Sequence, residues 1–386
     1  KYLSAIKNAF QNFMPLTIAG AIGVLWCNVL VNDQTGLGLF FKPIMALDFL
    51  NPAFQAVNFC TISCITVGIT LGIAQEIGVW YMGAEKAGYI PGLVGLAAWL
   101  SVTNTSHMVE GAKEAFTGIA GNELGATGLF TGMIIGVLSV ELFCFFEKQD
   151  ALKIKMPEQV PPGVARAFEV LVPATITLII TACIGSACYN LTGLYLNDVI
   201  KNGIQGPLGA VGATIPGVMI IYLVIMLFWL VGIHGNNMLS AVKEALFTPL
   251  ALENVEKFNK GEKPTNIINM YFLQMCGEFG GSGVTIGLVI AIMIFGKRED
   301  NKAIASLSLV PGLFNINETV TFGVPMVLNP ILGIPFVFAC LVTILVGYVL
   351  TVIGFCPVAC LTVPWTTPPI VFGFLACGAN VMGAVT

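Results

Sequence analysis

Residues 336–355, Phe-Val-Phe-Ala-Cys-Leu-Val-Thr-Ile-Leu-Val-Gly-Tyr-Val-Leu-Thr-Val-Ile-Gly-Phe, form an apolar stretch without a charged side chain. A helix needs about 20 such residues to cross the hydrocarbon core of a bilayer. The surrounding sequence is of the same kind, because Glu318 is the only charged residue between positions 303 and 386. This part of the chain therefore predicts membrane-spanning helices rather than a soluble core.

The whole chain has the composition of a membrane protein. Its 386 residues are 56% hydrophobic and 10% charged, and its mean hydropathy is +0.87, whereas a soluble domain carries about 25% charged residues. The net charge of −4, without a basic tail, argues against a nucleic-acid partner. The 11 scattered cysteines and 2 histidines include no CxxC pair, so the sequence predicts neither a metal site nor a disulfide framework.

Hydropathy predicts an all-α polytopic membrane protein with about ten transmembrane helices and two re-entrant hairpins. Breaks in hydropathy separate the clearest apolar spans. These spans are 13–31, 54–74, 90–102, 124–146, 170–196, 210–233, 336–355 and 368–385. A mildly amphipathic segment near 160–168 is expected to lie along the membrane surface before the fifth span.

Two apolar segments are too irregular to be simple spans. The segment 265–296 is interrupted by Gly277-Glu278-Phe279-Gly280-Gly281-Ser282-Gly283, and each half alone is too short to cross a bilayer. The segment 311–330 is bracketed by prolines and has no clean helical period. Non-helical backbone at membrane depth is tolerated only where protein buries it or a cavity wets it. We therefore expect a re-entrant hairpin near 265–296 and another near 311–330.

Glu318 is the strongest candidate for a functional residue. An ionisable side chain inside a membrane is costly and usually functional, and Glu318 lies among Asn315, Asn317 and Thr319, which are groups that can hold sugar hydroxyls. The alternative is a carboxylate that ties together the backbone of the hairpin.

His234 is a similar candidate, because it ends an uncharged span between two glycines. Gly235 allows a close backbone approach to a ligand, and Asn236 follows it. A neutral imidazole offers one donor and one acceptor and titrates near working pH. A histidine satisfied by a backbone carbonyl at a helix end is the alternative.

Three further residues are candidates for the same ligand. Glu278 lies in a glycine-rich tip, where it either contacts the ligand or locks the hairpin. Trp365 offers a flat apolar face for stacking on a sugar, or it anchors the chain at the membrane interface. Lys86 lies between two spans, where solvation in a loop is the alternative to ligand contact. No GxxxxGK[ST] motif occurs, so the chain is not expected to hydrolyse ATP.

Several segments resemble the lactose/cellobiose/N,N′-diacetylchitobiose family of phosphotransferase system (PTS) IIC components, and the diacetylchitobiose transporters among them most. The likeness runs the length of the chain, and the asparagine–glutamate segment is specific to the family. One position departs, because Thr319 follows the glutamate where the family often has proline. The matching segments are Lys155 to Pro162, Gly232 to Gly235, Gly280 to Gly283, Asn315 to Pro330 and Val363 to Pro369.

The resemblance implies a PTS IIC-type fold in the bacterial plasma (inner) membrane, assembled as a homodimer. Residues 1–205 would form the N-terminal transmembrane half and make the dimer contact, including the segment near 160–168 and a fifth span. Residues 206–386 would form the C-terminal half, bind the sugar and contain both hairpins.

The resemblance also implies the function. The chain would bind a β-linked disaccharide, N,N′-diacetylchitobiose first and cellobiose second, and translocate it by alternating access. Its C6 hydroxyl would be phosphorylated by the phosphocysteine of a cytoplasmic IIB protein, which IIA, HPr and enzyme I supply. The chain would then be the membrane component of a sugar phosphotransferase, surrounded by lipid, with no phospho-donor residue and no cofactor.

The resemblance places Glu318 and His234 beside the reacting hydroxyl, as catalytic residues. Together with the candidates from the sequence, it predicts a site without a metal ligand. The predicted substrate-binding set is Glu318, His234, Asn317, Asn315, Gly235, Asn236, Trp365, Lys86 and Glu278.

The alternative function is a proton-coupled secondary sugar transporter. Intramembrane Glu and His residues often form proton relays, and broken helices often build the binding site of such transporters at the midplane. Glu318 and His234 would then carry protons. A membrane scaffold without transport is a third possibility, against which the buried Glu318 argues.

Overall fold

The computed structural model describes residues 1–33, 37–107, 116–157, 159–324, 326 and 328–386, and this part of the chain is mostly helical. Pro325 and Val327, which belong to the hairpin expected at 311–330, lie outside the described residues. Two compact units divide the chain. The first comprises Lys1–Leu16 and Cys60–Pro207, and the second comprises Thr17–Phe59 and Leu208–Thr386.

The division after Pro207 lies close to the expected boundary at residue 205, but Thr17–Phe59 groups with the second unit. The dimer contact and the sugar binding that the sequence analysis assigns to the two halves stay predictions.

The first unit contains the start of the N-terminal helix and the helices between Cys60 and Ile200, together with a two-stranded antiparallel sheet. In chain order the elements are α1 (Tyr2–Leu25, which continues into the second unit), α3 (Ile65–Met82), α4 (Ala84–Ala87), α5 (Ile90–Val102), β1 (Ser106–His107), β2 (Phe116–Thr117), α6 (Gly121–Leu124), α7 (Ala126–Glu147), α8 (Pro162–Thr192) and α9 (Leu196–Ile200).

The second unit contains a helix near the N-terminus and the helices that follow the chain division. These are α2 (Asn51–Asn58), α10 (Gly206–Gly212, which begins just before the division), α11 (Ile215–Leu230), α12 (Gly235–Met238), α13 (Ser240–Asn259), α14 (Met270–Gly277), α15 (Thr285–Phe295), α16 (Glu299–Leu313), α17 (Glu318–Gly323), α18 (Pro330–Val352), α19 (Pro369–Ala376) and α20 (Val381–Val385).

Within the described residues, five helical stretches are long and apolar enough to cross a membrane. The pair Leu196–Gly212 and Ile215–Leu230 would make a sixth if it is one broken span. The total of about ten spans and the two re-entrant hairpins stay predictions. The five stretches are Tyr2–Leu30, Ile65–Met82, Ala126–Glu147, Pro162–Thr192 and Pro330–Val352.

Asparagine caps fix where several helices of the second unit begin. The Oδ1 atom of Asn269 accepts the backbone N–H of Tyr271 at 2.9 Å, at the start of α14. Asn329 does the same for Ile331 at 3.0 Å, where α18 begins with Pro330. An amide oxygen at this position satisfies an N–H group that the helix itself cannot pair. The helix starts are therefore encoded locally in the sequence.

The expected span at 54–74 is wrong in its position. The helix breaks at a π-helical turn, Phe59–Ser63, and the span is α3, which ends at Met82 and includes Glu76. Hydropathy disfavours Glu76 in a span, but the amides of Asn8 and Asn12 on α1 lie 2.8 and 3.5 Å from its carboxylate. These bonds offset part of the cost of the charge.

The expected last span at 368–385 is also wrong, because it is two short helices packed together. Gly378 (φ +72°) and Ala379 (φ +58°) adopt left-handed backbone conformations that end α19 before α20 begins. The two helices approach closely, since a Cβ atom on Gly373 would lie 2.0 Å from the carbonyl oxygen of Gly383.

The segment near 160–168 contributes the first turns of a long helix. α8 starts at Pro162 and continues without interruption to Thr192. Its orientation relative to a membrane surface stays a prediction.

Glycines allow close packing in the core of the first unit, where α3, α5 and α7 lie against one another. A Cβ atom on Gly132 of α7 would lie 2.2 Å from Thr70 Oγ1 on α3, and one on Gly95 of α5 would lie 2.3 Å from Ala74 Cβ. Small residues at helix interfaces are typical of membrane proteins, where association depends on van der Waals packing.

We therefore expect Gly132→Ala to destabilise the first unit by about 1–3 kcal/mol, because the added methyl group forces α3 and α7 apart. The measurement is the apparent melting temperature of the purified protein in detergent. Gly163→Ala is the matched control, because a Cβ atom at Gly163 meets nothing within 4 Å. Equal melting temperatures for the two variants would contradict this account of the interface.

Candidate functional site

The second unit brings His234 and Glu318 together. His234 Nε2 lies 3.6 Å from Glu318 Oε1, and the two side chains are 37% and 46% exposed. The distance exceeds that of an ordinary hydrogen bond, and both groups remain accessible to a ligand. The structure therefore brings together the two residues that the sequence analysis placed beside the reacting hydroxyl, and their contact with a ligand stays a prediction.

The tautomer of His234 follows from its local contacts. His234 caps α12, and the backbone N–H of Asn237 donates to its Nδ1 atom at 3.2 Å. A neutral imidazole that accepts at Nδ1 carries its proton on Nε2. In this tautomer the Nε2–H group faces the Glu318 carboxylate across the 3.6 Å gap.

A tight turn after α11 positions His234. Gly232 takes a positive φ of 80°, and the N–H of Ile233 donates to the carbonyl of Phe228 at 2.9 Å. Gly235 is required by packing, because a Cβ atom there would lie 2.0 Å from the carbonyl oxygen of Ile225. The ring of Trp229 supports the imidazole, with a centroid distance of 4.3 Å.

Glu318 is positioned by α17, whose apolar side is anchored in a small core. Val320 and Val324 are buried against Val289 of α15 and Ala305 of α16. Thr321 lies one turn beyond Glu318, on the same side of α17. The carboxylate thus lies at the start of a short helix whose apolar side is packed against α15 and α16.

Asn315 joins three segments around the site through its side-chain amide. Its Nδ2 atom donates to the carbonyls of Trp365 at 2.5 Å and Thr367 at 2.9 Å. Its Oδ1 atom accepts the N–H of Gly280 at 2.6 Å. Asn315 also has a positive φ of 63°, which asparagine tolerates better than most residues. The sequence analysis predicted that Asn315 binds the sugar, but both polar atoms of its side-chain amide are already bonded within the protein.

Ser282 receives two further asparagine amides. Asn317 Nδ2 donates to the Ser282 carbonyl at 2.8 Å, and Asn236 Nδ2 donates to Ser282 Oγ at 2.8 Å. Asn317 is only 4% exposed. The segments that hold His234 and Glu318 are thus both tied to the glycine-rich loop between α14 and α15.

That loop needs its glycines. Gly280, Gly281 and Gly283 have φ values of +70°, +91° and +80°, and a Cβ atom on Gly281 would lie 2.5 Å from Asn317 Cβ. Val284 also takes a left-handed φ of 57°, which is unusual for a β-branched residue and indicates local strain. Glycine at these positions therefore allows the loop to approach Asn317 closely.

Glu278 forms a buried ion pair with Lys243. Its carboxylate contacts the Lys243 ammonium group and accepts the Tyr222 hydroxyl at 2.7 Å. Lys243 and Tyr222 are 6% and 1% exposed. Of the two roles considered for Glu278, this geometry favours the one that locks the loop.

The structure places the remaining two predicted ligands differently. Trp365 is 43% exposed, so its ring is available for stacking. Lys86 lies in the first unit, where its Nζ atom is 2.8 Å from Glu147 Oε1, and the Arg166 guanidinium lies 3.0 Å from the same oxygen. Lys86 therefore has a structural partner of its own.

Several buried polar atoms near His234 and Glu318 have no hydrogen-bond partner within the described part of the chain. They are Trp229 Nε1, Asn236 Oδ1 and Thr321 Oγ1. A buried polar group without a partner is costly and calls for an explanation. A polyhydroxylated ligand would supply both donors and acceptors to such groups.

Sequence reasoning missed Lys243, Tyr222, Ser282, Trp229 and Thr321. Lys243 had a visible signal, because it is the first charged residue after the uncharged stretch 203–242, and intramembrane charges usually pair. Ser282 lies in the glycine-rich break and the other three lie in largely uncharged segments, and only the folded arrangement reveals their roles.

The buried Lys243–Glu278 pair predicts a non-additive effect on stability. Lys243→Met or Glu278→Gln alone should cost about 3–5 kcal/mol, because each leaves an uncompensated buried charge or polar group, and the double variant should cost less than the two single losses combined. The free energy of unfolding in detergent, measured by titration with a denaturing surfactant, tests this expectation.

The exposed Lys260–Glu256 pair (Nζ–Oε1 2.6 Å) is the matched control. Its single variants should change stability by less than about 1 kcal/mol. If Lys243→Met is as mild as Lys260→Met, the buried pair does not lock the loop.

The hydrogen bonds and the positive φ of Asn315 predict an unusual order of stability among its variants. Asn315→Gly should lower the free energy of unfolding by about 1–3 kcal/mol, because carbonyls lose their donor, and Asn315→Ala should cost more because alanine resists positive φ. Asn190, exposed in α8, should show the reverse order, with alanine better than glycine. Alanine better than glycine at both positions would overturn the role of the left-handed backbone.

The chain is similar in sequence to membrane components of the phosphotransferase system. The family described as "Phosphotransferase system, EIIC" matches residues 7–340. The oligo-β-mannoside-specific EIIC component of Bacillus subtilis (strain 168) is 33% identical over 392 residues, covering 100% of this chain and 85% of that protein. The cellobiose-specific EIIC component of Lactococcus lactis subsp. lactis (strain IL1403) is 30% identical, covering 98% of this chain and 88% of that protein.

A solved structure is similar over the whole chain. It is the crystal structure of the transporter ChbC, the IIC component from the N,N′-diacetylchitobiose-specific phosphotransferase system. Its TM-score is 0.90 at 30% identity, covering 100% of this chain and 88% of that one. These matches confirm the resemblance in the motifs, and the chain belongs to the phosphotransferase system EIIC family of integral plasma-membrane proteins.

Proposed function

We propose that this PTS sugar permease binds a β-linked disaccharide, moves it across the plasma membrane by alternating access and presents its C6 hydroxyl for phosphorylation. The observation that carries the proposal is the approach of His234 and Glu318, which face each other at 3.6 Å with both side chains partly exposed. The phosphoryl donor would be the phosphocysteine of a cytoplasmic IIB protein.

The geometry suits a hydroxyl group between the two side chains. Glu318 would accept the hydroxyl proton, while the Nε2–H group of His234 would donate to the same oxygen. As the phosphoryl group arrives, the proton would pass to the carboxylate, which is general base catalysis and contributes about 10²–10⁴-fold to a rate. Because phosphorylation traps the sugar inside, this transport requires no ion gradient.

The residues around this pair divide into contact and frame residues. Sugar contact is supported by the exposed ring of Trp365. It is also supported by the Oδ1 atom of Asn236, which has no hydrogen-bond partner among the described residues. Four other residues make their contacts within the protein, either through polar groups or through the small size of glycine. We propose that they maintain the geometry of the site, and they are Asn315, Asn317, Gly235 and Glu278.

The similarity to proteins named for related sugars supports the class of substrate. The relatives described above are named for oligo-β-mannoside, cellobiose and N,N′-diacetylchitobiose, all of which are β-linked. We propose N,N′-diacetylchitobiose first, because the motifs resemble that group most, and cellobiose second. Lys86 would contribute only if it leaves Glu147.

The proposed assembly follows the family. The chain would act as a homodimer, with a IIB protein at the cytoplasmic side and with IIA, HPr and enzyme I further along the phosphoryl chain. Each chain would cross the membrane about ten times and would contain two re-entrant hairpins. The proton-coupled alternative has no support from the family comparison.

Glu318→Gln tests the proposal. Purified protein should bind one of N,N′-diacetylchitobiose, cellobiose and lactose saturably, and the variant should bind it about tenfold more weakly, since a charge-assisted hydrogen bond is lost. Phosphoenolpyruvate-dependent phosphorylation of that sugar in vesicles should fall about 10²–10⁴-fold.

Glu262→Gln, in the exposed loop after α13, is the control and should leave both measurements unchanged. Wild-type uptake should persist with an uncoupler when phosphoenolpyruvate is supplied. Unchanged sugar binding by Glu318→Gln, together with uptake that an uncoupler abolishes in the wild type, would favour the proton relay instead.

A further inference from the structure

Two buried thiols lie in contact beyond the proposed sugar site. Cys356, in the segment that joins α18 to α19, has its Sγ atom 3.8 Å from the Sγ atom of Cys377 at the end of α19. The residues are 1% and 5% exposed. Both sulfur atoms also lie 3.4 Å from the carbonyl oxygen of Pro357, so the two side chains point to the same place.

The backbone around the pair is already held side by side. The N–H groups of Cys360 and Leu361 both donate to the carbonyl of Ala376, at 2.8 and 3.1 Å. A disulfide requires the sulfur atoms to approach to about 2.05 Å. These bonds tie the segment that follows Cys356 to Ala376, the neighbour of Cys377, and the two sulfur atoms start 3.8 Å apart.

The reactivity of the pair is uneven. A hydrogen bond from the Cys377 thiol lowers the pKa of the Cys356 thiol below its usual range. The thiolate is the reactive form of cysteine. By contrast, burial raises the pKa of the neighbouring Cys360 thiol to about 12, so this thiol stays protonated at neutral pH.

We propose that Cys356 and Cys377 form a modification site, a dithiol that a hydroperoxide oxidises to an intramolecular disulfide bond. The Cys356 thiolate attacks one peroxide oxygen, which breaks the O–O bond and gives a sulfenic acid and, after protonation, a water or alcohol molecule. The Cys377 sulfur then attacks the sulfenic sulfur, and the displaced hydroxide takes the Cys377 proton and leaves as water. The two thiols lose two electrons, and the peroxide gains them.

The disulfide would close a ring that carries part of the candidate site. Trp365 and Thr367 lie within this ring, and their carbonyls accept the amide of Asn315. Oxidation therefore joins the segment that carries Trp365 covalently to the end of α19. The chemistry of the pair is independent of the proposed sugar, because no ligand takes part.

The test treats the purified full chain in detergent with hydrogen peroxide, alkylates the remaining thiols, and maps the peptides by mass spectrometry. Oxidised wild type should lose alkylation at both Cys356 and Cys377, yield a peptide pair linked through them, and regain both labels after treatment with a phosphine reductant. Its apparent melting temperature should rise on oxidation, because a closed loop restricts the unfolded chain.

Matched variants make the result specific. Cys377→Ser should abolish the linked peptide and the rise in melting temperature. Cys276→Ser, which changes a buried thiol on α14, should retain both. If Cys276→Ser folds poorly, Cys144→Ser, which changes a buried thiol of the first unit, serves the same purpose.

Two outcomes would overturn the inference. One is that Cys356 and Cys377 stay fully alkylated at a peroxide dose that oxidises any other cysteine of the chain. The other is that the mapped disulfide joins Cys360 to either residue. Sugar binding does not enter any of these measurements, so a failure of the proposed function would leave them unaffected.

Discussion

Irregular backbone in an apolar protein needs a partner for every N–H and C=O group, and the architecture around His234 and Glu318 depends on meeting this constraint. Where water is excluded, each unsatisfied group costs several kcal/mol by general estimates. Asparagine side chains supply the partners. The Asn315 amide serves two carbonyls and one N–H group, and Asn317 serves the Ser282 carbonyl. The chain can therefore leave its helices at this point while these backbone groups stay paired.

Charge is handled in two different ways within the second unit. The Glu278 carboxylate, which has low exposure, is neutralised by Lys243 and bonded by Tyr222. Glu318 instead faces a neutral histidine donor and remains nearly half exposed. A paired carboxylate stabilises a loop, whereas an exposed carboxylate opposite a donor is suited to a ligand hydroxyl. This contrast supports the structural role proposed for Glu278 and the chemical role proposed for Glu318, two glutamates that look alike in the sequence.

The sequence predicted the features that depend on local chemistry. The break at Gly280, Gly281 and Gly283 was predictable because a run of glycines cannot continue an apolar helix, and Glu318 stood out as a lone charge. The roles of Asn315 and Asn317 were not predictable, since an amide that binds backbone and one that binds sugar have the same composition and spacing. Hydropathy also failed at Glu76 and at Ala379, where distant hydrogen bonds and a left-handed turn determine where the helices lie.

The amide bonds of Asn315 have a mechanical consequence. They link the glycine-rich loop, the segment that leads into Glu318 and the segment that carries Trp365 without any ligand present. A preorganised site loses little conformational entropy when it is filled, so more of the contact energy appears as affinity. A conformational change that keeps these bonds intact would move the three segments together and would bend the chain outside them.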